Sequence, residues 1–149
     1  MTKRSLLPSV LASLLFLLLS AEIAADIALV THPANSLKTL DIADARRLFL
    51  KQTNEFPDGN HAQVAMLSKQ SGVRRAFAEQ VLNMSDSQLK TYWAKYIFTG
   101  QNRPPREFSS EEAMKHWIAT TPGALGYLHV SEVDDSVKVL RTVSSDIPR

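Results

Sequence analysis

The chain has 149 residues, 44% of them hydrophobic and 21% charged, an ordinary globular balance. The absence of cysteine excludes disulfides, thiolate metal sites, thiol nucleophiles and a lipid-modified N-terminal cysteine. A formal net charge of +2 is too weak to argue for nucleic acid as a partner.

At the N-terminus, Lys3 and Arg4 precede an apolar run from Leu6 to Leu19, and Ala21, Ala24 and Ala25 follow it. Charged, apolar, then small residues is the layout of a secretory signal peptide. The run is interrupted by Pro8, Ser9 and Ser13 and is shorter than the roughly 20 apolar residues of a spanning helix. We therefore expect residues 1–25 to be a signal peptide cleaved after Ala25, with an uncleaved anchor as the alternative. Loss of Lys3, Arg4 and Glu22 would leave a net charge of +1 on residues 26–149, which form a single domain. Export without cysteine points to a soluble bacterial periplasmic protein that relies on its core for stability.

Ile27 to Val30 reads as a short buried strand, and Thr31 to Ser36 as the loop after it. Asp41 is placed to cap a helix with Ile42, Ala45, Leu48 and Phe49 on its apolar face. Phe56-Pro57-Asp58-Gly59 is a turn, and Ala62 to Leu67 a second strand. That strand breaks into a polar loop, Ser68-Lys69-Gln70-Ser71, and a helical pattern follows, with Val73, Ala76, Phe77 and Val81 on one face. Ser71 is a good N-cap, and Gly72 is expected to let the backbone turn tightly. Strand, small-residue loop, helix is an arrangement that points free N–H groups at one spot and so attracts anions. Arg74 and Arg75 in the first turn oppose the helix dipole. Arg75 has Glu79 four residues on, while Arg74 has no acid on its own helix. A bound anion resolves that conflict; so does an acid from another loop.

Ser85 with Gln88 forms a capping-box signature for the next helix, whose stripe Leu89, Tyr92, Trp93, Tyr96, Ile97 reads as core. Thr99-Gly100 ends it, and Pro104-Pro105 forces an extended connection. Ser109 with Glu112 opens another helix, with Ala113, Met114, Trp117 and Ile118 inward, and Thr121-Pro122-Gly123 stops it. Ala124 to Val130 and Val137 to Val143 read as strands, and Ser144 to Arg149 as a fraying end. Strands alternating with helices indicate an α/β domain: a mixed, mostly parallel sheet covered on both faces.

Other constellations have simpler explanations. Of His32, His61, His116 and His129, only His129 is followed three or four residues on by a second ligand type, Glu132, and that pair falls in a loop. We expect no metal and no cofactor. Glu111-Glu112 and Asp134-Asp135 fit a helix N-terminus and a solvated turn better than acid–base catalysis. With no Gly-x-Ser-x-Gly elbow and no phosphate-loop motif, no enzyme is expected. Arg103-Pro104-Pro105-Arg106 offers two cations on a stiff connection, read either as a partner-docking segment or as a plain surface loop.

The helix Leu40 to Leu50, the strand into Ser71-Gly72, Phe98-Thr99-Gly100, and the run Pro122-Gly123-Ala124-Leu125-Gly126-Tyr127-Leu128 followed by Val137 to Leu140 together resemble a known family. It is the phosphate-binding proteins of ABC transporters, in the type II periplasmic binding protein superfamily, and above all their short members. The resemblance covers nearly all of residues 26–149 and implies a single periplasmic-binding-protein-like lobe, the continuous second lobe of full-length members. In the family the strand-to-helix loop reads approximately Arg-x-x-Gly-Ser-Gly-Thr and grips phosphate. Here Leu67 stands where the arginine belongs, Gln70 where the glycine does, and Val73 where the threonine does. The resemblance thus carries over Ser71 and the amides of Gly72 and Val73, with Arg74 as counter-charge and Lys69 as a substitute cation. It implies phosphate or a similar small oxyanion as ligand, bound weakly, since a charge-assisted hydrogen bond contributes about 1.5–3 kcal/mol and at least one is lost. The alternative is a lobe that has lost its ligand and docks an envelope membrane protein. Oligomeric state is not legible.

Overall fold

The computed structural model describes residues 26–144. The expected signal peptide and its cleavage site, and the fraying tail beyond Ser144, lie outside the described residues. Five strands form one mixed sheet: β1 (Ile27–Thr31), β2 (Gln63–Leu67), β3 (Arg106–Phe108), β4 (Ala124–His129) and β5 (Lys138–Val143), in the order β3-β2-β4-β1-β5. β2 pairs parallel with β3 and β4, whereas β1 pairs antiparallel with β4 and β5. All strands but β1 therefore run in one direction, and β1 is inserted against them. The sheet is mixed as expected, but parallel and antiparallel neighbours are equal in number. The reason is the β4-to-β5 connection through residues 130–137, which steps over β1 and leaves it between two strands of opposite direction.

Four helices cover the sheet: α1 (Ile42–Phe49), α2 (Gly72–Phe77, continued by a π turn over Ala78–Leu82), α3 (Asp86–Thr99) and α4 (Glu111–Thr120). Alternation along β4 decides which helix goes where. Tyr127 points to one face, where its ring stacks on Phe77 at 3.8 Å and meets Phe49 edge-on at 6.0 Å. Gly126 points to the other, where α4 packs so closely that a Cβ would lie 2.8 Å from both Met114 Sδ and Ile118 Cδ1. β1 lies between these layers with every residue buried. The outer edge of β5 is partly covered: the Leu40 N–H donates to the Leu140 carbonyl, and Arg141 Nε donates to the Leu40 carbonyl. That blunts an edge otherwise open to further strand pairing.

Local details depart from the sequence reading in instructive ways. The Asp41 side chain does not cap α1; it accepts from Arg141 across the sheet edge at 3.0 Å. The cap of α4 is Ser110, whose Oγ accepts from the Ala113 N–H, so the helix begins one residue later than expected. The extended segment after Pro104-Pro105 becomes β3, because a chain that cannot coil there lies alongside β2 and pairs with it. The capping box of Ser85 and Gln88 is present as expected. The aromatic stripe of α3 is core only in part: Leu89 and Trp93 are buried, Tyr92 and Tyr96 are half-buried, and Ile97 is 59% exposed. Its neighbour Phe98 is 93% exposed.

Candidate functional site

Two parallel strands, β2 and β3, end side by side, and the chain leaves β2 through Ser68–Ser71 into α2. The C-terminal edge of parallel strands is where α/β sheets hold ligands, since the strand-to-helix loops there direct helix starts toward one point. The Ser68 N–H donates to the Phe108 carbonyl at 2.8 Å, which ties the loop to β3, and the Ser71 N–H closes a turn on the Ser68 carbonyl. Ser71 caps α2 as expected, its Oγ accepting from the Arg74 N–H at 3.3 Å. The Gly72 and Val73 N–H groups have no partner among the described residues. Gly72 does not serve the turn: its φ lies outside the left-handed region, and a Cβ there would meet nothing within 4 Å. What the glycine leaves is open space above the first helical amides.

The loop is braced from beneath by Leu67. Its N–H donates to the Tyr127 hydroxyl oxygen at 2.9 Å, and its carbonyl accepts from Arg74 Nη1 at 2.8 Å. Burial pushes the Tyr127 hydroxyl well above its ordinary pKa, so it stays neutral and fixed. The family-like run is thus explained physically: Gly123 takes φ +80 against the His61 carbonyl, Gly126 admits α4, and Tyr127 anchors the end of β2.

Arg74 is where sequence and structure differ most. The expected counter-charge for an anion is a buried guanidinium, 7% exposed in its side chain, paired with Glu107 of β3 at 2.8 Å. The acid the sequence lacked on the same helix comes from a strand 33 residues away. Sequence reasoning missed Glu107 because three residues of β3 give no period to read; the signal available was the Pro-Pro pair, which fixes the next residues as extended. Arg74 Nε is buried without a hydrogen-bond partner among the described residues. Arg75 pairs with Asp86 of α3 at 3.8 Å, not with Glu79.

Beside the loop lies a groove of about 690 Å³ between α3 and the β2–α2 and β3 segments. Of the expected site residues, Lys69 and Arg74 line it, whereas Ser71, Gly72 and Val73 do not. Trp93, Ala94, Ile97 and Pro104 give it an apolar wall, and Asp86, Lys90 and Glu107 charge its rim. The histidines are elsewhere. His32 and His61 line a separate pocket at the opposite end of β2, and His129 Nδ1 binds Ser131. Among the described residues no group of three or more His, Asp or Glu side chains is placed to hold a metal. In the Arg103–Arg106 segment both arginines are exposed, and Arg106 lies over the Phe108 ring at 4.8 Å.

No protein-family model matches the sequence, and no curated protein does. Solved structures do match the fold. A putative phosphate ABC transporter substrate-binding protein with bound phosphate from Clostridium perfringens superposes with a TM-score of 0.64 at 23% identity, over 80% of this chain and 46% of that one. An ABC-type phosphate transport receptor from Vibrio cholerae gives 0.63 at 19% identity, over 80% and 47%. PstS from Borrelia burgdorferi gives 0.59 at 14% identity, over 79% and 48%. This chain shares the fold of about half of each of these structures. The chain spans about half the length of these structures, and among its described residues no helix is long and apolar enough to cross a membrane.

Proposed function

We propose that this chain is a periplasmic solute-binding-like protein, exported by a signal peptide over residues 1–25, that takes phosphate or a similar small oxyanion weakly and serves ABC-type phosphate uptake. The supporting observation is the open helix start: the N–H groups of Gly72 and Val73, without partners among the described residues, at the C-terminal edge of β2. The likeness to a substrate-binding protein and a transport receptor supports binding over catalysis. Lys69 supplies the exposed cation, Ser71 shapes the loop, and Arg74 contributes as half of a neutral pair with Glu107. An anion here keeps the amides and one lysine and lacks a free guanidinium, so binding is weak.

Gly72→Pro tests this reading cleanly. Position 72 is the first helical residue, where proline is tolerated, and Ser71 before it is already extended at φ −75 and ψ 123. The substitution removes one amide donor while the fold stands. Calorimetry with phosphate and sulfate should show weak binding to the natural chain, reduced by about tenfold or more in Gly72→Pro. No binding at millimolar anion, or unchanged binding in the variant, rejects the site.

A second reading is favoured by a different observation. Ile97 and Phe98 expose apolar surface at the C-terminal end of α3, as a lobe that docks an envelope membrane protein would. One stoichiometric partner captured from envelope extract regardless of phosphate, and lost in Phe98→Ser, supports it.

A further inference from the structure

We propose that the ligand is an organic anion with an apolar body, its charged group at the Lys69–Val73 loop and its body in the neighbouring groove along α3. This rests on the reading of that loop as an anion site and adds the class of molecule bound. The groove of about 690 Å³ is of the size that holds whole organic ligands, roughly 300–1,000 Å³, and is far too large for an inorganic oxyanion alone. Its wall is a helical stripe: Lys90, Trp93, Ala94 and Ile97 recur at three- and four-residue spacing on one face of α3, opposite Pro104.

The charges decide the sign of the ligand. Both acids on the rim are already matched, Asp86 by Arg75 and Glu107 by Arg74. Lys69 and Lys90 line the same groove with no ion-pair partner among the described residues. Two unanswered cations at the rim of an apolar wall select a molecule that is negative at one end and greasy at the other. Arg74, more than nine-tenths buried in its side chain, also lines the groove, and its pairing with Glu107 leaves Lys69 and Lys90 to set the sign of the guest. Ile97, 59% exposed, becomes a contact surface for the ligand body.

The test is calorimetry on the whole chain with inorganic phosphate, phenyl phosphate and phenol, repeated on Lys90→Ala, Ile97→Ser and Gly72→Pro. Phenyl phosphate is expected to bind at least about tenfold tighter than phosphate, and phenol to bind barely. Ile97→Ser should cut the preference to about threefold or less while leaving phosphate binding unmoved, and Lys90→Ala should weaken phenyl phosphate by about fivefold. Phenyl phosphate no tighter than phosphate overturns the inference and leaves the loop reading intact. Phenol binding as well as phenyl phosphate also overturns it, because the cations then select nothing. Tight phenyl phosphate binding that ignores Gly72→Pro but responds to Lys90→Ala and Ile97→Ser upholds the groove and removes the loop. No binding of any probe removes both.

Discussion

Arg74 and Glu107 form a half-buried pair whose guanidinium is shielded and whose carboxylate is 47% exposed. Removing the acid strands a cation among apolar neighbours, while water reaching the carboxylate side limits the loss. Glu107→Gln should therefore destabilise by about 1–2 kcal/mol, less than a fully buried pair costs, as measured by urea denaturation. The same change frees the guanidinium, so phosphate affinity should rise severalfold in Glu107→Gln as stability falls. An affinity that falls with stability would place Arg74 outside the anion's reach. The glycines divide similarly on geometry. At Gly123 an added methyl would sit 2.7 Å from the His61 carbonyl oxygen, backbone that cannot yield, with φ +80 adding strain. At Gly126 the obstacles include the tip of Met114, which can turn aside. Gly123→Ala should cost about 2–3 kcal/mol and Gly126→Ala about half as much.

Helix α3 depends on a few strong attachments more than on broad burial. Leu89 and Trp93 seat it, and the Tyr92 hydroxyl donates to the Leu50 carbonyl at 2.7 Å, tying it to the end of α1. The Asn102 side chain repeats that tie to the Lys51 carbonyl at 3.0 Å. Tyr92→Phe deletes one such bond and leaves a carbonyl short of a donor, for an expected loss of about 1 kcal/mol. Because Ile97 and Phe98 face solvent, amides in the last turns of α3 should exchange hydrogen faster than those near Leu89, a contrast that mass spectrometry resolves. A bound organic anion in the adjoining groove should reduce that difference.

At the scale of the whole molecule, pH acts from two sides. The Ser136 hydroxyl and the Lys115 ammonium hold the Asp134 carboxyl down at about 2, and Ser36 and the Asn60 amide lower Asp58. A carboxyl depressed in the fold adds stability above its unfolded pKa of about 4 and loses it as pH falls toward about 2. Asp134→Asn should therefore flatten the decline of the denaturation midpoint between those limits. At the alkaline end, desolvation and then the hydrogen bond with Tyr96 raise Tyr92 to about 12, and burial raises Tyr127 further. A phenol raised in the fold adds stability below its unfolded pKa of about 10 and loses it as pH rises through the folded value. Base denaturation should therefore set in above about pH 10, later in Tyr92→Phe relative to its own midpoint at neutral pH, since one titrating group is gone.

The amino-acid order alone determined what depends on neighbours a few residues apart. Ser71 and Ser85 cap their helices because an N-cap needs only the next three residues, and Phe77, Val81, Leu89 and Trp93 turn inward because helical spacing puts them on one face. The glycine-bearing run from Pro122 to Leu128 carried the resemblance in fold because Gly123 and Gly126 each answer a fixed steric demand. Tertiary structure decided the rest, wherever distant segments meet. Glu107 reaches Arg74 only because β3 pairs with β2, Arg75 turns to Asp86 only because α3 folds back, and Asp41 leaves its helix start for Arg141. Charges act across space and not along the chain, so the partner of a cation, and with it the character of the site, is settled only when the fold closes.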